Sequence, residues 1–503
     1  MRQSIERVAR PPTRFGPNLN WQIIVPVISG VALAVGIGLV GCLAVAIIGG
    51  DGGVLAFALP AAIVIPPAAL GLRSATRLRS MPLRPRDGFF AVSAAWLIAA
   101  AIGAVPLVIE GTFAGPLDAF FESMSGFTTT GATLLTRIEP QPDAILLWRS
   151  TMQWLGGVGI VVLVVAIAPA TGLATQRIFY AETSGVSAER LTPRIADTAK
   201  ILWAIYLILT ALGFVAYLLA GMRPFDAINH VFTTVATGGF STRTASIADF
   251  DSLAIELVAI FFMVAAGVNF AFYWRALRGP TIWPQAAEVR AYLIILAGAT
   301  FAATTSLQLN EHPGGLWQSL RDATFSVTSV MTTTGYTTAD FDTFNDFARS
   351  LLLLLMFVGG CAGSTAGGLK VIRVLLLAKS TTQEIRRQLQ PKAVQVLRTR
   401  GRVFNEQLRR GVLGFFCIYL AVTVIATFGM LASGLDFLSA LASVVATLNV
   451  IGPGLGDVGA TDNYEAVSPA GRAILTFTML AGRLEVFTVL VLLTPAFWRR
   501  SIA

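Results

Sequence analysis

Long apolar runs alternate along this chain with short polar stretches, and the order of the two is regular. A helix that spans a bilayer needs about 20 apolar residues, and the runs at 21–48 and 55–72 meet that length as a hairpin around Gly49-Gly-Asp-Gly-Gly53. Beyond a basic stretch at 73–86 the pattern becomes a unit that recurs four times. Each unit has a long apolar run, a short amphipathic run, a Gly-containing loop that is Thr-rich in the first three, and a second long apolar run. The first unit has runs at 89–109 and 144–168 and the second at 201–219 and 253–273. The third has runs at 291–306 and 351–378, and the fourth at 412–431 and 473–497. The short runs fall at 117–124, 225–235, 316–331 and 435–448. The predicted organisation is a transmembrane hairpin (20–80) followed by four helix, loop, helix units at 85–175, 196–280, 286–385 and 405–500. The fold class is an all-α polytopic membrane protein.

The loops themselves repeat. Gly126-Phe-Thr-Thr-Thr-Gly-Ala-Thr133 returns as Thr234-Val-Ala-Thr-Gly-Gly-Phe-Ser241, as Thr332-Thr-Thr-Gly-Tyr-Thr-Thr338, and in degenerate form as Asn449-Val-Ile-Gly-Pro-Gly-Leu455. Aligning them places Gly131, Gly238, Gly335 and Gly452 at one position, with a period near one hundred residues. Non-helical backbone at membrane depth is tolerated only inside protein or along a water-filled path, so four such loops converge on something polar. A cation leaving water loses on the order of 20 kcal/mol of hydration by an idealised Born estimate. Rings of backbone carbonyls replace that water, and each short helix ending at a loop adds about half a negative charge there.

Composition narrows the class further. Of 503 residues, 55% are hydrophobic and 13% charged, with a mean hydropathy of +0.70, which excludes a soluble protein of this length. The net charge of +9 is no nucleic-acid footprint. Lys and Arg cluster at the N-terminus, at 73–86, 177–200, 275–290 and 370–410, and at Arg499-Arg500, all away from the Thr/Gly loops. The positive-inside rule makes that side cytoplasmic, with both termini. No cleaved signal peptide is expected. Glu110, Asp118, Asp226, Asp249, Asp251, Asp340, Asp342, Asp346, Asp457 and Asp462 gather on the loop side, where acids concentrate cations. Cys42, Cys361 and Cys417 lie far apart in apolar sequence and suggest packing, as does His230; His312 falls in an external loop. No HExxH, CxxC or Ser/His arrangement is present, so no enzyme is expected.

Two features interrupt the apolar runs. Gly359-Gly-Cys-Ala-Gly-Ser-Thr-Ala-Gly-Gly368 carries five glycines in ten residues, and each costs a helix roughly 1 kcal/mol relative to alanine. A break is expected there, the alternative being close helix packing through small residues. Arg483 sits within the last run, where arginine costs about 2.5 to 3.5 kcal/mol. It faces a cavity, or it is buried against helix C-terminal carbonyls; Glu485, two residues on, lies on a different helix face.

The four loops resemble the pore loops of the Trk/Ktr/HKT family of potassium transporters. The N-terminal hairpin and Leu83-Arg-Pro-Arg-Asp-Gly-Phe89 are similar to the bacterial Trk transmembrane subunit, since Ktr-type relatives lack that hairpin. The resemblance covers nearly the whole chain. It implies a pseudo-tetrameric pore in the cytoplasmic membrane, with potassium as the transported ion and no organic cofactor. The implied filter comprises Thr129, Thr130 and Gly131; Ala236, Thr237 and Gly238; Thr333, Thr334 and Gly335; and Val450, Ile451 and Gly452. One glycine per loop implies weaker discrimination against sodium than in potassium channels, and Val450-Ile451 makes the ring chemically uneven. The implied gate is an intramembrane loop of Gly359, Gly360, Gly363, Ser364, Thr365, Gly367 and Gly368, with Lys370 beside it and Arg483 as an electrostatic barrier. The resemblance further implies a homodimer and a cytosolic Trk-type (TrkA-like) nucleotide-binding regulatory subunit. Residues 379–410 are a candidate docking surface, although ordinary positive-inside residues explain them equally well. Membrane lipid is an expected partner and nucleic acid is not. A sodium- or proton-coupled potassium symporter is the rival reading; it would need an ionisable coupling site at membrane depth, and the spans offer few candidates beyond Arg483 and Glu485.

Overall fold

Local signals set most helix ends. Asn20 caps the first hairpin helix, Trp21–Gly49, by accepting from the Gln22 amide, and Gly50 closes it in the left-handed region at φ 66°; the return helix is Val54–Arg73. In this computed structural model the described residues are 19–50, 53–73, 85–167, 195–277, 279, 286–390, 398–399, 402–403 and 406–498. The N-terminal arginines, the centre of the glycine turn, Leu83-Arg84, Arg499-Arg500 and most of the basic clusters at 73–86 and 177–200 lie outside them. Among the described residues the regular structure is helical apart from one antiparallel strand pair, Arg398–Thr399 with Arg402–Val403, and an isolated parallel bridge of Val358 with Leu369.

Each unit contributes an outer helix, a short pore helix and an inner helix. The outer helices are Pro85–Ile109, Ile195–Leu219, Ala287–Leu309 and Glu406–Ala432. The pore helices are Pro116–Phe127, Pro224–Val235, Gly315–Met331 and Phe437–Leu448. Pro116 and Pro224 fill the first helical position, where a missing N–H costs nothing, with Asp118 and Asp226 in the first turn. Asp436 caps the fourth pore helix through the Leu438 and Ser439 amides.

The inner helices depart from the continuous runs expected of the sequence. Only the first, Asp143–Ile167, is unbroken. The run at 253–273 is Leu253–Ala266 and Phe270–Ala276, bent by 90°, and the run at 473–497 is Pro469–Arg483 and Phe487–Leu493, bent by 119°. Glu485 and Val486 make the second bend at φ 57° and 48°, a region costly for non-glycine residues. In the third unit Asp346–Met356 and Val371–Leu389 flank the glycine-rich segment, where a break is expected.

Packing is cyclic. The inner helices of units 1, 2 and 3 pack against the pore helices of units 2, 3 and 4, and the last inner helix returns to the first pore helix. One buried cluster accordingly joins the hairpin, unit 1 and unit 4, including Trp148, Phe121, Tyr464 and Met479. Another joins units 3 and 4 through Phe341, Val445 and Ile451. Six described helices are long and apolar enough to span a membrane, or eight if each bent pair is one span. Large apolar side chains such as Ile37, Phe261, Phe301 and Ile425 project outward, as lipid-facing residues do.

Candidate ion pathway

The four loops leave their pore helices in one conformation. After each helix end comes a residue in the right-handed region, then one in the left-handed region: Thr129, Thr237, Thr333 and Val450, at φ 57°, 53°, 57° and 62°. The next amide turns back to the helix, Thr130 to Ser125 O, Gly238 to Thr233 O, Thr334 to Ser329 O and Ile451 to Ala446 O, at 2.8 to 2.9 Å. A glycine with positive φ follows: Gly131 at 83°, Gly239 at 81°, Gly335 at 82° and Gly452 at 99°. This corrects the sequence alignment in the second loop, where Gly239, not Gly238, is the equivalent glycine. Gly238 matches Thr130, and Ala236 matches Thr128. Two adjacent glycines are indistinguishable by residue type, and only the backbone angles separate them.

These glycines close a ring. A Cβ added to Gly131 would lie 2.2 Å from Gly238 O, one on Gly239 2.0 Å from Thr334 O, one on Gly335 1.9 Å from Ile451 O, and one on Gly452 2.7 Å from Thr130 O. Each loop therefore meets the carbonyl before the next loop's glycine, in the order 1, 2, 3, 4 and back to 1. No side chain fits at that level, and all four pore helices end there, with the negative ends of their dipoles together.

Buried polar side chains hold the loops. Glu122 accepts from the Leu134 amide at 3.0 Å and Thr133 Oγ1 at 2.9 Å, and pairs with Arg149 at 2.9 Å. His230 plays the same part in loop 2, its ring nitrogens meeting Asp226 O and Ser241 Oγ. It is a packing residue. Gln153 donates to Gly238 O at 2.7 Å and accepts from the Phe240 amide at 3.1 Å. Tyr464 donates its hydroxyl to Gly452 O at 2.6 Å. Sequence reasoning missed Glu122, Arg149, Gln153 and Tyr464. Arg149 and Gln153 were detectable, because a charged or amide side chain inside an apolar run signals a buried task.

The glycine-rich segment lies directly on the loops. The Gly367 amide donates to Thr333 Oγ1 at 2.7 Å, and Thr365 Oγ1 donates to Val235 O at 3.1 Å. A Cβ on Gly367 would lie 2.4 Å from Asn449 O. The segment folds on itself, the Gly359 amide meeting Leu369 O and the Val371 amide Gly360 O, while Gly363 is left-handed at φ 77°. Ser364 Oγ bonds Cys361 O, and Gly368 abuts Gly359. Glu288 accepts from the Ala362 amide at 2.7 Å. Lys370 is buried and donates to Ala366 O. Arg483, 3% exposed, donates to Thr365 O at 3.1 Å and Gly156 O at 3.0 Å. Glu485 turns away to Arg373 at 2.8 Å.

On the opposite side of the ring the acids are not the bare cluster the sequence suggests. Asp226 is flanked by Arg223 and Arg243, Asp342 by Arg349, and Asp118 by Arg472. Burial raises the Asp342 carboxyl above its ordinary pKa, against the Gly456 amide and Arg349. Hydrogen bonds from Thr244 to Glu139 tie loop 1 to loop 2. His312 reaches Asp322 at 2.9 Å. Among the described residues no group of three His, Cys, Asp or Glu could hold a metal ion.

The TrkH family of cation transport proteins matches residues 59–500. The chain is 44% identical over 423 residues to the Trk system potassium uptake protein TrkH of Halomonas elongata, covering 83% of this chain and 87% of that protein. It is 35% identical over 485 residues to the Trk system potassium uptake protein TrkI of the same organism, covering 96% and 98%. The crystal structure of the potassium transporter TrkH from Vibrio parahaemolyticus matches with a TM-score of 0.87 at 37% identity, over 96% of this chain and all of that one. With four loops closed into one ring and a match along most of its length, this chain belongs to the TrkH family of cation transport proteins, which are transporters and not enzymes.

Proposed function

We propose that this chain carries potassium inward across the bacterial cytoplasmic membrane through the ring of four loops. The observation that carries the reading is the ring itself. Four left-handed turns, each followed by a glycine, bring backbone carbonyls to one level, and carbonyls are what a dehydrated cation requires. The potassium uptake proteins to which the chain is similar supply the ion. Thr129 to Gly131, Thr237 to Gly239, Thr333 to Gly335 and Val450 to Gly452 form the filter, with Ala236 one step beneath. The segment from Gly359 to Gly368, hydrogen-bonded to Thr333 and latched by Arg483, is the gate, and Lys370 adds a second positive charge beside it. A cytosolic nucleotide-binding subunit displaces this loop, two copies of the chain assemble as a homodimer, and both termini are cytoplasmic; names containing "Trk system" support a multi-component assembly, the positive-inside pattern supports the orientation, and the homodimer rests on the family resemblance alone.

Flux into liposomes holding the purified chain, with potassium or sodium supplied separately, tests the reading. In Gly335→Ser the new Cβ meets Ile451 O at 1.9 Å in a backbone conformation unsuited to serine. The expected result is potassium-preferring flux that the substitution makes less selective. Flux that requires a sodium or proton gradient would turn the reading to a coupled symporter. No cation flux under any condition, regulatory partner included, would overturn both.

A further inference from the structure

The pore has four loops and two kinds of brace. In loop 1 the hydroxyls of Thr128 and Thr130 bond each other at 2.8 Å, and in loop 3 those of Thr332 and Thr334 do the same at 2.8 Å. Thr128 and Thr332 pass the bond on to Met124 O and Thr328 O of their own pore helices. These loops are therefore stiffened from within. Loops 2 and 4 have no such pair, because the equivalent positions hold Ala236 with Gly238, and Asn449 with Ile451. A loop that keeps its turn-back amide bond but lacks this hydroxyl pair samples more backbone states, and its carbonyls are less well fixed.

Side chains from elsewhere take over in these two loops. Gln153, fully buried on the first inner helix, bonds both sides of Gly239, giving to Gly238 O and taking from the Phe240 amide. Its amide occupies the place of the absent threonine: a Cβ on Gly238 would lie 2.4 Å from Gln153 Cδ. In loop 4, Tyr464 donates to Gly452 O and fastens its own amide to Thr133 O of loop 1 at 2.9 Å. Asn449 is held by Tyr419 at 2.6 Å. Opposite loops thus share a brace type, and the pore is chemically two-fold around a four-fold backbone.

We infer that Gln153 and Tyr464 are positioning residues that set cation selectivity, by fixing the carbonyls of the two loops lacking a threonine pair. This rests on the reading of the ring as the filter. The carbonyls the two side chains hold are Gly238 O, which faces Gly131 in the ring, and Gly452 O. Losing either brace leaves the backbone free to fit sodium as well as potassium. Glycine at 238 is explained too: any side chain there would displace the amide that does the bracing.

The test measures potassium and sodium flux ratios in liposomes for Gln153→Leu, Tyr464→Phe and the triple variant Gln153→Ala, Ala236→Thr and Gly238→Thr. Thr151→Val, whose native side chain faces Gly38 of the hairpin, serves as the control for a merely structural change on the same helix. Gln153→Leu and Tyr464→Phe are each expected to lower the potassium-to-sodium ratio roughly fivefold, the worth of one ordinary hydrogen bond. Thr151→Val leaves the ratio unchanged, and threonines at 236 and 238 restore part of it in the triple variant, because the space is then free and the hydroxyl pair of loops 1 and 3 can form. Tyr464→Phe removes a single hydroxyl and keeps the proposal testable if Gln153→Leu does not fold. Ratios equal to the native value in folded Gln153→Leu and Tyr464→Phe would overturn the inference while leaving the filter in place, provided Gly335→Ser still changes selectivity. If Gly335→Ser changes nothing either, the filter reading itself fails.

Discussion

Arg483 ends the last inner helix with its guanidinium divided between two carbonyls, Thr365 O on the glycine-rich loop and Gly156 O on the first inner helix. A charge at this depth is stabilised only by such partners, and in the proposed reading the residue is a latch and a positive charge below the filter. Arg483→Gln removes the charge and leaves donors for one carbonyl only. The expected outcome is about a tenfold rise in potassium flux without the regulatory partner, which corresponds to roughly 1.4 kcal/mol of gate bias. Equal flux in native and Arg483→Gln liposomes would remove this residue from the gate. Arg483 was visible in sequence because its cost in an apolar run demands a reason. The same logic was available for Arg149 and Gln153 but needed knowledge of what they face. Gly239 was hidden for a different reason: the motif Thr237-Gly-Gly-Phe240 offers two glycines, and only the φ of 81° at the second identifies it.

At the level of elements, the three broken inner helices differ in how far sequence announces them. Five glycines in ten residues weaken the helix at 359–368 enough to predict its break. The bend after Ala266 has one glycine and the bend after Arg483 has none in the turn, so intrinsic propensity does not produce them. Tertiary bonds do: Gly267 O accepts from the Cys361 amide at 2.9 Å, and Glu485, left-handed, is held by Arg373. These partners are distant in sequence, and periodicity carries no trace of them. The pore helices, by contrast, were legible to within three residues at each end, and proline or aspartate marks the start of all but the third, which begins at Gly315. The glycine-rich loop depends on close contact between its own limbs, where a Cβ on Gly359 would lie 1.9 Å from Gly367 O. Gly359→Ala should push the limbs apart and raise basal flux severalfold, on the scale of the 1–3 kcal/mol that overpacking costs. Gly298→Ala, where a Cβ meets open space, should leave flux unchanged. A Gly359→Ala protein that folds and remains closed would show that the loop opens without separating its limbs.

For the whole molecule, cyclic packing of each inner helix on the next pore helix makes the first and last units neighbours, and Asp118 with Arg472 ties that seam on the side of the ring away from the glycine-rich segment. The net charge of +9 does not describe the field at the proposed entrance, because both signs stand on that side of the ring. Arg243 lies four residues beyond the ring glycine of loop 2, a quarter exposed, against Asp226 at 3.3 Å and Asp249 at 4.0 Å. It cancels charge that would otherwise draw cations inward. Arg243→Gln frees one negative charge at the mouth, while Asp226 keeps its bonds to Thr242 and Arg223. Attraction by exposed charge is screened over about 10 Å at 0.1 M salt, and its effect falls on the rate of encounter. The substitution should therefore lower the potassium concentration for half-maximal flux at low ionic strength, leave the maximal rate alone, and lose its effect as an impermeant salt is added. A shift that survives high salt would mean that Arg243 acts through the fold of loop 2 and not through the field at the entrance.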